Sequence, residues 1–142
     1  GEDLAAWRFE PNHVLIWTHD DRGRPLATLP AATRAHLRRH EAKLRGRCDL
    51  RASQPVWSLF RVRPEKLGRR VAWRDIAVDP GAVVIPERVP FLGSPVPAVS
   101  LNTVYGIPAD SDDMAHLLAG ILNSTPARAY LKSIAERASG GH

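Results

Sequence analysis

The stretch DSDDMAHLLAGILNSTPARAYLKSIAERASGG, residues 110–141, sets the architecture, because it carries two helices and the break between them. Met114, Leu117, Leu118, Ile121 and Leu122 recur at i, i+3, i+4, i+7 and i+8, the spacing of an amphipathic helix with its apolar stripe toward the core. Asp110 or Ser111 supplies an N-cap, and Asp112 and Asp113 sit where the positive end of the helix favours carboxylates. Asn123-Ser124 breaks the helix. Thr125 then caps a second one, with Pro126 in its first turn, Tyr130, Leu131 and Ile134 on its inner face and Gly140-Gly141 as its stop.

Upstream of this hairpin the pattern changes to short runs rich in β-formers. HVLIWT (13–18), VWSLFRV (56–62), RRVAWRDI (69–76), AVVI (82–85) and SLNTVYGI (100–107) each predict a strand. In the second of these, alternation places Arg61 and Arg63 on one face. Asp20-Asp21-Arg22-Gly23 predicts a turn, and Pro64, Pro80-Gly81, Pro86 and Pro90 mark strand ends or edges, since proline has no N–H to give a ladder.

Between the first two runs lies AATRAHLRRHEAKLRGR (31–47), with Pro30 at its start and Gly46 at its end, which predicts a helix over 31–45. Thr33, Leu37, His40 and Leu44 form a thin apolar stripe, while Arg34, Arg38 and Arg45 project beside it. The fold class is therefore α+β: a strand-rich central portion, a basic helix near the N-terminal third and a C-terminal helical hairpin, arranged as one domain over residues 1–142.

The net charge of +5 is unevenly distributed. From Arg34 to Arg74 thirteen Lys or Arg face three acids, whereas residues 1–33 hold five acids and three bases and residues 75–142 seven acids and four bases. A concentrated basic region on an acidic chain points to a polyanion, and Arg34, Arg38, Arg39, Lys43, Arg45, Arg61, Arg63, Arg69 and Arg70 are its candidate contacts. The competing reading is that these side chains merely solvate a surface helix and strands.

Catalytic signatures are sparse. His36 and His40 stand one helical turn apart without the glutamate of a zinc helix and among cations that oppose a metal ion. Cys48, the single cysteine, excludes an intramolecular disulfide and has no evident partner base. Phosphate-cradling glycine loops and a nucleophile elbow do not occur. No apolar run reaches the roughly 20 residues needed to span a bilayer, and the start of the chain lacks the regions of a signal peptide, so a cytoplasmic location is expected. Met114 is the only methionine, which suggests a fragment of a longer chain.

The stretch NTVYGIPADSDDMAHLLAGILNSTPARAYLKSIAER, residues 102–137, resembles the end of the TaqI-like specificity domain of N6-adenine DNA methyltransferases. The mark is a strand ending in a tyrosine (Thr103, Val104, Tyr105), an acidic spacer, and then Leu117, Leu118, Ile121, Leu122 and the Leu-Asn-Ser break at Asn123-Ser124. Gly1-Glu2-Asp3 resembles that domain's opening segment, Leu37 to Arg47 its basic helix, and Trp57 its following tryptophan. Val71, Trp73, Arg74, Asp75 and Ile76 resemble its strand before Val83-Val84-Ile85-Pro86. The resemblance implies a DNA target-recognition domain that reads double-stranded DNA opposite the catalytic methyltransferase domain of the same parent chain, in a restriction-modification or phage-defence system. It implies no catalysis and no cofactor in this fragment. S-adenosylmethionine, and any endonuclease activity, would belong to the rest of the parent. The alternative function is a protein-interaction module that docks an acidic partner or subunit through the basic helix.

Overall fold

The computed structural model describes residues 4–74, 81–100 and 103–139; the expectations resting on Gly1 to Asp3, Asp75, Ile76, Pro80, Leu101, Asn102 and Gly140-Gly141 lie outside them. The described elements are β1 (Leu4–Ala5), β2 (Arg8–Phe9), α1 (Ala31–Arg38), α2 (Glu41–Arg45), β3 (Arg70–Arg74), β4 (Val83–Ile85), β5 (Arg88–Phe91), β6 (Ser94–Pro97), β7 (Val104–Pro108), α3 (Asp112–Asn123) and α4 (Thr125–Ser139). The protein is a mixed α+β fold, and the chain divides into two compact units: residues 1–12 with 65–142, and residues 13–64.

The first unit is built on β3, the centre of an antiparallel sheet of order β4-β3-β7. Alternation along β3 sends Ala72 to one face, where it packs with Leu4, Val83, Ile85 and Ala98, flanked by Phe9, Val89 and Val104. Val71 goes to the other face and meets Ala82, Ala109, Ala115 and Ala119, with Trp73, Val84, Leu118 and Leu122 around them. Both residues are 0% exposed, so β3 is covered on both sides.

The periodicity of α3 predicts the helix correctly but not which face is buried. Ala115 and Ala119, one turn apart, lie against the sheet with Leu118 and Leu122 beside them, while Met114, Leu117 and Ile121 are exposed. Alanines without side-chain bulk let the helix backbone approach the strands closely. Ser111 caps α3, its Oγ accepting from the Met114 N–H at 3.1 Å, with Asp112 and Asp113 in the first turn. At the break Ser124 does the capping expected of Thr125: its Oγ donates to the Ile121 carbonyl and accepts from the Ala127 N–H.

Two contacts fasten β1 and α3 to the start of β4. Asn123 Oδ1 accepts from the Ala82 N–H and its Nδ2 donates to the Ala82 carbonyl, both at 2.8 Å, so one amide satisfies both backbone groups of a residue 41 positions away. The same carbonyl accepts from the Trp7 N–H. Gly81 lies flush on the β1–β2 turn, where a Cβ would come within 2.6 Å of the Ala6 nitrogen, so only glycine fits.

β5 and β6 form a separate ribbon. Pro90 pairs with Pro95, and a pair of edge strands is where prolines are tolerated within a strand. Leu92 and Gly93 turn the ribbon with φ of 48° and 81°.

In the second unit the expected strands over 13–18 and 56–62 do not form; only an isolated bridge, His19 to Pro25, is present. The backbone groups a ladder would use are taken by side chains. Thr18 Oγ1 donates to the Trp57 carbonyl, Trp57 Nε1 donates to the Leu26 carbonyl, and the Leu59 N–H donates to His19 Nε2. The expected single helix is also interrupted. The Arg39 and His40 N–H groups bond the carbonyls of His36 and Leu37, three residues back, and tighten the chain between α1 and α2. Neither helix buries a residue.

Replacing Asn123 with Ala leaves the N–H of the buried Ala82 without a partner and its carbonyl with the Trp7 N–H alone. It should cost about 1–3 kcal/mol in urea unfolding of the chain. Asn123→Asp, which keeps the acceptor but sets a carboxylate against the Ala82 carbonyl, should not rescue it.

Candidate nucleic-acid interface

Charge separates by structural unit. Residues 13–64 hold eleven Lys or Arg against four Asp or Glu, a net of +7, and the rest of the chain holds nine against eleven, a net of −2. Seven of the nine candidate contacts, Arg34, Arg38, Arg39, Lys43, Arg45, Arg61 and Arg63, belong to the basic unit, and Arg69 and Arg70 to the acidic one.

Arg70 is not a surface cation. At 2% exposure it is the largest fully buried side chain, lying on the face of β3 that also carries Ala72. Its Nε donates to Ser100 Oγ, and its terminal nitrogens donate to the carbonyls of Gly68 and Ala98. Its stem runs over Gly106, where a Cβ would approach Arg70 Cδ at 3.6 Å. Burial without a carboxylate pushes its pKa down to about 10, which leaves it charged at neutral pH. Arg70 shares its strand face with the small apolar Ala72, and basic content alone concealed that signal. Arg69 is engaged as well, its Nε 2.6 Å from Asp112 Oδ1 in a charge contact.

Within the basic unit, carboxylates occupy three cations. Arg24 pairs with Asp20 at 3.0 Å, Arg45 with Glu41 at 2.6 Å and Arg47 with Asp49 at 3.7 Å. Arg47 also donates to the Ser58 carbonyl. Arg45 is thus the candidate on α2 whose charge is locally answered, although such an exposed i,i+4 pair is worth only about 0.3–0.5 kcal/mol. Arg22, Arg34, Arg38, Arg39, Lys43, Arg51, Arg61 and Arg63 are exposed and have no carboxylate partner among the described residues. Arg34 makes one bond, to the Leu29 carbonyl. Arg22 and Arg51 were outside the sequence-based set, and only charge balance within the unit singles them out. Arg61 lies on a turn, with φ of 53°, and Arg63 in irregular chain just beyond it, so they do not share a strand face.

The inside of this unit is polar. Thr18, His19 and Ser58 are buried along with Leu29. The Leu59 N–H can only donate, so His19 Nε2 is the bare nitrogen and Nδ1 carries the hydrogen. Nδ1 faces Thr18 Oγ1 at 3.2 Å, and that hydroxyl passes its own hydrogen to the Trp57 carbonyl at 2.7 Å. Burial lowers the His19 pKa, with the Asp20 charge opposing the shift.

The His36 and His40 rings are 5.3 Å apart, but no group of three or more metal-ligating side chains exists among the described residues. Cys48 is exposed. No helix among the described residues is long and apolar enough to cross a membrane. No protein-family model, curated protein or solved structure matches the chain.

His19 makes the basic unit sensitive to acid. Its folded pKa lies below the ordinary 6.5, so the stabilisation is complete above pH 6.5 and declines below it, as the unfolded chain binds a proton that the folded chain refuses. Tryptophan-monitored melting should show a midpoint that falls between pH 7.5 and pH 5. His19→Ala should cost about 1–3 kcal/mol at pH 7.5 and flatten that pH dependence. An unchanged profile in the variant would assign the effect elsewhere.

Proposed function

We propose that the chain is the target-recognition domain of a larger N6-adenine DNA methyltransferase of a restriction-modification or phage-defence system, and that residues 13–64 carry the contact with double-stranded DNA. The observation behind this reading is the +7 unit with eight exposed cations unanswered by carboxylates, three of them (Arg34, Arg38 and Lys43) on helices that bury no residue. Unpaired arginines on a surface are where phosphate oxygens replace water at least cost, and Arg presents a planar fork of donors to them. The order of motifs along the chain supports the methyltransferase setting. In that setting methyl transfer and S-adenosylmethionine belong to the catalytic domain of the parent, which extrudes the adenine from the duplex. This domain then contributes affinity and sequence choice, not chemistry.

A second reading, a protein-interaction module, draws on one observation of its own. Met114, Leu117 and Ile121 form an exposed apolar stripe along α3, with Leu117 59% exposed. An acidic partner on the basic helix would use the same cations as DNA.

Fluorescence anisotropy of the chain with a labelled duplex, titrated across salt, separates the two. Changing Arg34, Arg38, Arg39 and Lys43 together to Gln should reduce the slope of log K against log salt by about 3 to 4, at roughly 0.9 per phosphate contact. Absence of duplex binding at low salt, with retention of a protein partner at moderate salt, would move the assignment to the interaction module.

A further inference from the structure

Gly23 and Val62 bring two arginine-bearing turns of the basic unit together. The Asp20–Arg24 turn is closed by Asp20, whose Oδ1 accepts from the N–H groups of Arg22 and Arg24 and whose carbonyl accepts from the Gly23 N–H. Gly23 has φ of 75°, and a Cβ there would lie 3.2 Å from the Val62 carbonyl oxygen. The two turns therefore touch, backbone against backbone, between Arg61 and Arg63 on one side and next to Arg22 on the other. Sequence separation of about forty positions hides this, because neither turn belongs to a periodic element.

The second turn is held in place from several directions. The Ser58 N–H donates to the Pro55 carbonyl, the Ser58 carbonyl accepts from Arg47, and the Leu59 N–H reaches His19. The chain then leaves this anchored segment through Phe60, 45% exposed, and Arg61 in the left-handed region. A bulky non-glycine residue adopts that conformation at a cost and persists only where its surroundings enforce it. The Arg61 guanidinium lies 4.8 Å from the centroid of the Phe60 ring. A ring contact of this kind restrains the guanidinium while consuming none of its N–H donors.

We propose that Arg22, Arg61 and Arg63, with Phe60 as the platform for Arg61, form a second phosphodiester-binding point for duplex DNA, distinct from the α1–α2 cations. The inference rests on the DNA reading above. None of the three guanidinium groups has a hydrogen-bond or carboxylate partner among the described residues, and all three residues are exposed. The chemistry they offer is that of a small anion cradle: Arg61 is pre-oriented and meets one phosphate with two parallel N–H bonds, and Arg22 and Arg63 supply charge to its flanks. Phe60 is a positioning residue here, acting through Arg61.

The test is the salt titration of duplex binding with the full chain and three further variants. Arg22→Gln/Arg61→Gln/Arg63→Gln should lower the salt slope by about 0.9, the share of one phosphate, so that the loss of affinity between about 50 and 200 mM salt shrinks by roughly 3.5-fold. Phe60→Ala and Arg61→Lys remove no charge, so each should leave the slope unchanged and weaken binding by about 2- to 5-fold. A triple variant that keeps the slope of the unaltered chain, while the α1–α2 variant loses its share, would overturn this site and leave the DNA reading standing. If the unaltered chain shows no salt-dependent duplex binding, both fall together. Should the triple variant fail to melt like the parent, the Phe60→Ala and Arg61→Lys arms decide alone, and unaltered affinity in both refutes the proposal.

Discussion

Burial of two consecutive side chains on opposite faces of one strand is the constraint on which the larger unit depends. Val71 and Ala72 are both fully enclosed, and each belongs to a different apolar cluster. A strand buried on both faces must pair on both edges and be covered on both sides. β4 and β7 supply the edges, α3 covers one face, and Leu4 of β1, Phe9 of β2, Val89 and Ala98 reach the other. The small size of Ala72, Ala115 and Ala119 fixes how closely these layers approach. Asn123 and Gly81 then hold the ends of that arrangement, one by hydrogen bonds and one by having no side chain.

The smaller unit is organised on another principle. It encloses few apolar groups and relies on side chains that bond to backbone: Asp20 within its turn, Thr18 on Trp57, His19 on Leu59, Trp57 on Leu26. A segment stabilised in this way frees its helices from the core and leaves their charged sides to solvent. Concentration of unpaired cations and poverty of apolar burial are thus two aspects of one design, and they coincide in residues 13–64.

This contrast explains what could be read from the amino-acid order. α3, β3, β4 and β7 were legible because their apolar residues repeat with a helix or strand period and their ends carry cap or turn residues. The buried face of α3 was not, since hydrophobicity favours Met114, Leu117 and Ile121, whereas close helix-to-sheet approach selects Ala115 and Ala119. Residues 13–18 and 56–62 have the composition of strands, and their shape is decided by bonds from Thr18, His19 and Trp57 that no periodicity records. The β5–β6 ribbon hid behind its prolines. For the candidate interface, charge counting pointed to the segment where exposed cations concentrate but did not separate interior from exposed members. It included Arg70, which is interior, and omitted Arg22, which a glycine contact brings beside Arg61 and Arg63.

Arg70 has a consequence for how the larger unit is balanced electrically. Its positive charge is offset by the carbonyl dipoles of Gly68 and Ala98 and the hydroxyl of Ser100. None of these groups gains or loses a proton in water, so the counter-charge is part of the backbone and cannot be discharged by acid or exchanged for another anion. The interior of one unit is therefore electrically fixed by its fold, and that of the other is set by an imidazole. Within one chain, the buried charge of one unit is thus indifferent to acid, whereas the buried imidazole of the other is not.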